Sequence, residues 1–70
     1  MRFRIEEGWL YAGRYRVGFV RYIDYKDNGR HGYGISKVSN QSLLKDFQDA
    51  ANRKFPNAEN PYIDYLDELY

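Results

Sequence analysis

Arginine recurs at alternate positions twice in this 70-residue chain, as Arg2 and Arg4 and again as Arg14 and Arg16, and this spacing suits chemistry. On an extended strand, alternate residues share a face. Each pair presents two guanidinium groups side by side. A guanidinium offers five N–H donors in a planar fork that matches phosphate oxygens or the edge of a guanine base. Tyr22 adds a ring in the same alternation, able to stack on a sugar or base, and Arg30 closes a turn sequence close by. The same residues also make an ordinary solvated face on which arginine stems lie over tyrosine rings.

Other chemistries find less to work with. The chain has no Cys and one His, His31, so a nucleophile lacks an activating partner and a transition metal lacks soft ligands. Ser39 and Ser42 stand where helix capping explains them. Asp64, Asp67 and Glu68 fit a solvated helix face, and the acids around Asp24 to Gly29 lack the terminal bidentate Glu of a calcium loop. Gly32-Tyr33-Gly34 has no Lys-Ser/Thr pair or helix start behind it, so it is not a phosphate cradle. The expectation is a non-enzymatic chain with no catalytic residue, metal or cofactor.

The elements that must position the arginines are legible from periodicity. Arg2 to Glu6 alternates, with Phe3 and Ile5 on one side, and Glu7-Gly8 breaks it. Trp9-Leu10-Tyr11 is a short aromatic run that suits a strand and ends at Ala12-Gly13. From Arg14 to Tyr25, alternation assigns Tyr15, Val17, Phe19, Ile23 and Tyr25 to the core, a face interrupted by Arg21. Arg14, Arg16, Gly18, Val20, Tyr22 and Asp24 fall on the opposite face, and Gly18 marks a bulge or a close backbone approach. Lys26-Asp27-Asn28-Gly29-Arg30 reads as a hairpin turn, and His31 to Val38 as the returning strand.

Ser39 and Asn40 are good helix N-caps. Behind them Leu43, Leu44, Phe47, Ala50, Ala51 and Phe55 recur at helical spacing until Pro56. Asn60-Pro61 starts a second, short helix that persists only if Ile63, Leu66 and Leu69 or Tyr70 dock on something. The expected architecture is α+β: a three-stranded antiparallel sheet with one helix packed on one face, plus a short C-terminal helix. Residues 1–56 form the single domain and residues 57–70 an acidic amphipathic tail.

Apolar residues are 43% of the chain and aromatics 19%, which favours a folded domain over a disordered one. No apolar run approaches the ~20 residues of a bilayer span, so no membrane partner and a cytoplasmic location are expected. Residues 1–56 carry all 11 basic residues against six acids, net +5, and residues 57–70 carry the other four acids, net −4. A basic body implies an anionic partner, a tail that folds back, or solubility alone.

The order of elements across residues 9–55, with the Asp-Asn-Gly turn, a strand ending Gly34-Ile35, and a helix bearing Ala50-Ala51 and Arg53-Lys54, resembles a family of DNA-binding domains. These are the three-stranded-sheet-plus-helix domains of plant ethylene-response factors and of tyrosine integrase N-termini. In those families the helix braces the sheet and the sheet enters the major groove. The resemblance implies that Arg14, Arg16 and Tyr22 point toward DNA, with Arg30 near its backbone. This chain departs from the pattern in having Tyr33-Gly34-Ile35-Ser36 where a Leu-Gly-Thr/Ser-Phe run is usual, in a less basic sheet, and in the acidic tail.

Two functions follow from these readings. One is a nucleic-acid-binding module using Arg2, Arg4, Arg14, Arg16, Tyr22 and Arg30. The other is a small protein-binding inhibitor or adaptor, of the kind a phage or mobile element encodes, that meets a host protein through Tyr62, Asp64, Tyr65, Asp67, Glu68 and Tyr70. A homodimer is a third way to use the tail.

Overall fold

A computed structural model describes residues 2–25 and 30–70, and for residues 23–25, 30 and 31 the backbone alone. Four strands, β1 (Phe3–Glu6), β2 (Trp9–Ala12), β3 (Tyr15–Tyr25) and β4 (Arg30–Ser36), form one antiparallel sheet in the order β1-β2-β3-β4. Two helices follow, α1 (Gln41–Lys54) and α2 (Pro61–Leu69). The α+β class is as expected, but the sheet has four strands because Phe3–Glu6 and Trp9–Ala12 both pair, Phe3 opposite Ala12 and Glu6 opposite Trp9. The turn expected at residues 26–29 lies outside the described residues.

Two short turns set the register of the first three strands. Glu7 and Gly8 join β1 to β2 with φ of 51° and 84°, the left-handed pair that matches strand twist in a two-residue hairpin. Gly13 joins β2 to β3 with φ 61° in the first central position of its two-residue loop.

The pairing of β2 with β3 then shifts. Leu10 faces Gly18 and Tyr11 faces Arg16, so Val17 is an extra residue without a partner, a β-bulge directly beside Gly18. This shift corrects the core expected from simple alternation. Val17 is buried, but beyond it the parity reverses. Val20 is buried in the core cluster, whereas Phe19 turns outward and sits half-buried against Trp9. Tyr15, at the strand's start, is 56% exposed. The side chains of Ile23 and Tyr25 lie outside the described residues. A Cβ on Gly18 would overlap the Ile35 side chain, so glycine there lets β3 and the end of β4 close together.

Helix α1 begins where Asn40 accepts a hydrogen bond from the Leu43 amide at 3.0 Å. Ser39, the other expected cap, is used differently. Its amide donates to the Val17 carbonyl at 2.8 Å, and its hydroxyl lies 3.0 Å from the Arg16 carbonyl and 3.3 Å from that of Val17. The residue before the helix therefore clamps the bulge.

Phe47 and Ala51 are buried on α1, and Leu43, Leu44 and Ala50 pack around them. The core that they join is Phe3, Leu10, Ala12, Val17 and Val20 from the strands and Leu66 from α2. Phe47 is its centre: Phe3 meets it edge-on at 5.0 Å, Tyr62 edge-on at 5.7 Å, and Tyr65 stacks on it at 4.8 Å. With no disulfide available, this aromatic cluster carries much of the burial, at roughly 1.5–3 kcal/mol for a fully buried large apolar side chain.

Helix α2 docks on the body, which is the condition its shortness imposes. Asn60 caps it by accepting from the Ile63 amide at 3.3 Å, and Ile63 and Leu66 are fully buried. It touches both sheet edges: Tyr65 meets Phe3 of β1 edge-on at 6.2 Å, and Tyr70 stacks on Tyr33 of β4 at 4.1 Å. A Cβ on Gly32 would overlap Ile63, so that glycine admits α2 against β4. Lys54 ties the helices, 3.6 Å from Glu68 and over the Tyr65 ring.

Candidate functional site

The face of the sheet turned away from both helices is built from cross-strand neighbours. Arg4 of β1 pairs with Tyr11 of β2, which pairs with Arg16 of β3. Two register positions away, and so on the same face, Glu6 pairs with Trp9, which pairs with Phe19. These residues alternate with Phe3, Leu10, Val17 and Val20, whose side chains enter the core, so the six side chains project to the other side.

Cations lie over the rings of this face. The Arg16 guanidinium is 4.2 Å from the Trp9 ring centroid and 5.9 Å from that of Tyr11. The Arg4 guanidinium is 4.7 Å from the Tyr11 centroid, and the Lys37 ammonium is 5.9 Å from that of Phe19. Such contacts are worth about 0.5–1 kcal/mol at exposed sites and fix where the charge sits.

The two arginines differ in what they have left to offer. Arg4 is engaged, with Nε 3.4 Å from Glu6 Oε2 and Nη1 donating to the Gly13 carbonyl. Arg16 is exposed and held by ring contacts alone: among the described residues its guanidinium forms no hydrogen bond or ion pair. Its donors are positioned and uncommitted.

Of the six residues expected to meet nucleic acid, the structure brings Arg4 and Arg16 together. Arg2 is exposed at the entry to β1, and Arg14 is exposed in the β2–β3 turn, 5.5 Å from the Tyr15 ring centroid. Tyr22 does not join them. It pairs with Tyr33 two positions beyond the pair of buried Val20 and half-buried Ile35, both packed in the core, so it stands on the helix side, edge-on to Tyr33 at 5.8 Å. The bulge at Val17 causes this, since it places Gly18, Val20 and Tyr22 in phase with the core rather than with Arg16. Arg30 begins β4, and its side chain lies outside the described residues.

Sequence reading missed Trp9, Tyr11, Phe19 and Lys37 as members of the face, together with Arg21, which is exposed two residues beyond Phe19. The signal was available in Glu7-Gly8. Read as a two-residue hairpin, it sets Glu6 against Trp9 and hence Arg4 against Tyr11.

Charge divides by layer. Residues 1–40, which carry the sheet, hold eight basic and four acidic residues, net +4; residues 41–70, which carry the helices, hold three basic and six acidic, net −3. On α2, Tyr62, Asp64 and Tyr65 are half-buried, while Asp67, Glu68 and Tyr70 are exposed, Tyr70 by 60%. Among the described residues no three His, Cys, Asp or Glu side chains group as metal ligands, and no helix is long and apolar enough to cross a membrane. Comparison with protein-family models, with curated proteins and with solved structures finds no match for this chain.

Proposed function

We propose that this chain is a non-enzymatic nucleic-acid-binding module that uses the outer face of its sheet. The observation that carries the reading is Arg16, exposed and held over Trp9, its guanidinium without a hydrogen bond or ion pair among the described residues. A guanidinium placed over a ring by contacts of about 0.5–1 kcal/mol keeps all its donors for a phosphate or a base edge and leaves the ring at little cost. Arg2, Arg14, Arg21 and Lys37 surround it with positive charge, and the acids of α1 and α2 sit on the opposite layer, so an anion is drawn to one side of the molecule. The resemblance to sheet-plus-helix DNA-binding domains agrees with this choice of face, with Trp9 and Tyr11 in place of Tyr22. Retention on immobilised DNA and RNA at low salt tests it: Arg16→Ala with Lys37→Ala should abolish retention in a chain that still folds.

A second reading has its own observation. Tyr22 and Tyr70 are 59% and 60% exposed at either side of Tyr33, and Asp67 and Glu68 are exposed on the last turn of α2 before Tyr70. Exposed tyrosines next to an acidic helix suit a protein partner with a basic surface, or a second copy of this chain. Capture from the source cell by wild type but not by a Tyr70→Ala, Asp67→Asn variant would favour it, and light scattering would identify a homodimer.

A further inference from the structure

We infer that the nucleic acid taken by this face is single-stranded, and that one of its bases stacks on Trp9 in the place that the Arg16 guanidinium covers. This rests on the nucleic-acid reading above. Trp9, Tyr11 and Phe19 are half-buried rings on two adjacent strands, and the groups found over them are exposed cations rather than a helix or loop. A base stacks on an aromatic ring more strongly than an exposed cation does, so a base displaces such a cover. The displaced Arg16 keeps all its donors and swings to a neighbouring phosphate.

Spacing favours an unpaired strand. Trp9 and Tyr11 are two residues apart on β2, about 7 Å along the strand. A single strand can open its bases to match that separation, whereas a duplex keeps its bases closed in a stack about 3.4 Å apart. Charge points the same way. Glu7 stands at the β1–β2 end of the face, exposed and in a left-handed backbone, next to the Glu6 that forms an ion pair with Arg4. Glu7 would repel the phosphates of a second strand, yet it can accept from the amino group of an unpaired base. Lys37, also left-handed at φ 50°, brackets Phe19 from the other side and offers a phosphate contact.

Trp9 is the sole tryptophan, so its emission reports on the platform directly. The full chain is titrated with unstructured DNA and RNA strands of about ten nucleotides, mostly thymine or uracil, and with a hairpin duplex of similar length. The expected result is quenching by at least one single strand at concentrations about tenfold or more below those at which the duplex binds. Trp9→Leu should weaken single-strand binding by a similar factor while Trp9→Phe, which keeps a ring, retains most of it; circular dichroism checks that both fold. The DNA and RNA arms separate the two sources. Duplex binding as tight as single-strand binding, with Trp9 emission unchanged, overturns the stacking inference and leaves the nucleic-acid reading standing. Binding of neither overturns both.

Discussion

The Val17 carbonyl accepts from both the amide and the hydroxyl of Ser39, at 2.8 and 3.3 Å. Val17 is the unpaired residue of the bulge in β3, and Ser39 is the last residue before the cap of α1. One residue, through its amide and its hydroxyl, thus ties the place where the strand changes phase to the segment that leads into the helix. The phase change matters to the site, because it turns Phe19 out beside Trp9 while Arg16 keeps its place opposite Tyr11.

Ser39→Ala should therefore cost about 1 kcal/mol, the net worth of a side-chain hydrogen bond to backbone. Chemical denaturation measures it. Because the Ser39 amide still holds Val17, the fold should survive, and hydrogen exchange should quicken at the bulge and the start of α1 rather than across the sheet.

Glu7 is a non-glycine residue held at φ 51° in the β1–β2 turn, a conformation that costs roughly 1–2 kcal/mol for most L-residues and less for asparagine. Glu7→Asn creates the preferred Asn-Gly turn and should raise stability by about 0.5–1 kcal/mol. For a domain of this size that is a rise of a few degrees in Tm, readable by circular dichroism.

Gly32 and Gly13 should respond to alanine for different reasons. At Gly32 the new methyl group meets Ile63, and overpacking of this kind costs about 1–3 kcal/mol, loosening α2 from β4. At Gly13 the space is open but φ is 61°, so the cost is backbone strain of about 1 kcal/mol with α2 undisturbed. Exchange protection of α2 amides separates the two.

On α2, Leu66→Ala removes a fully buried side chain and should cost about 2–5 kcal/mol, enough to unfold much of so small a domain. Glu68→Gln breaks only the half-exposed pair with Lys54 and should cost less than about 0.5 kcal/mol. A reversed ranking by thermal denaturation would mean that the helix is held by charge rather than by burial.

Much of the fold was legible. Asn40 and Asn60 cap their helices as read from the sequence, Phe47 and Ala51 take the buried stripe, and Phe3 and Ile5 separate from Arg4 and Glu6 by strict alternation. Alternation failed at Val17, because one extra residue reverses every later side chain and nothing in the pattern of Val17, Gly18, Val20 says which of them is unpaired. The site suffered from the same error. Arg4 and Arg16 were found from their spacing, but their partners Tyr11 and Trp9 depend on a register visible only once two short turns are placed, and Tyr22 was carried to the wrong side by the unbroken alternation.

The central claim is that the Arg16 and Trp9 face binds nucleic acid, and the salt dependence of binding tests it most directly. The affinity of the chain for a labelled oligonucleotide should fall linearly on a log–log plot against salt concentration. Arg16→Ala should both weaken binding and reduce the slope by about 0.7–0.9, the release of one phosphate's counterions. An unchanged slope and affinity in the folded Arg16→Ala chain, or no binding by the wild type at low salt, would contradict it.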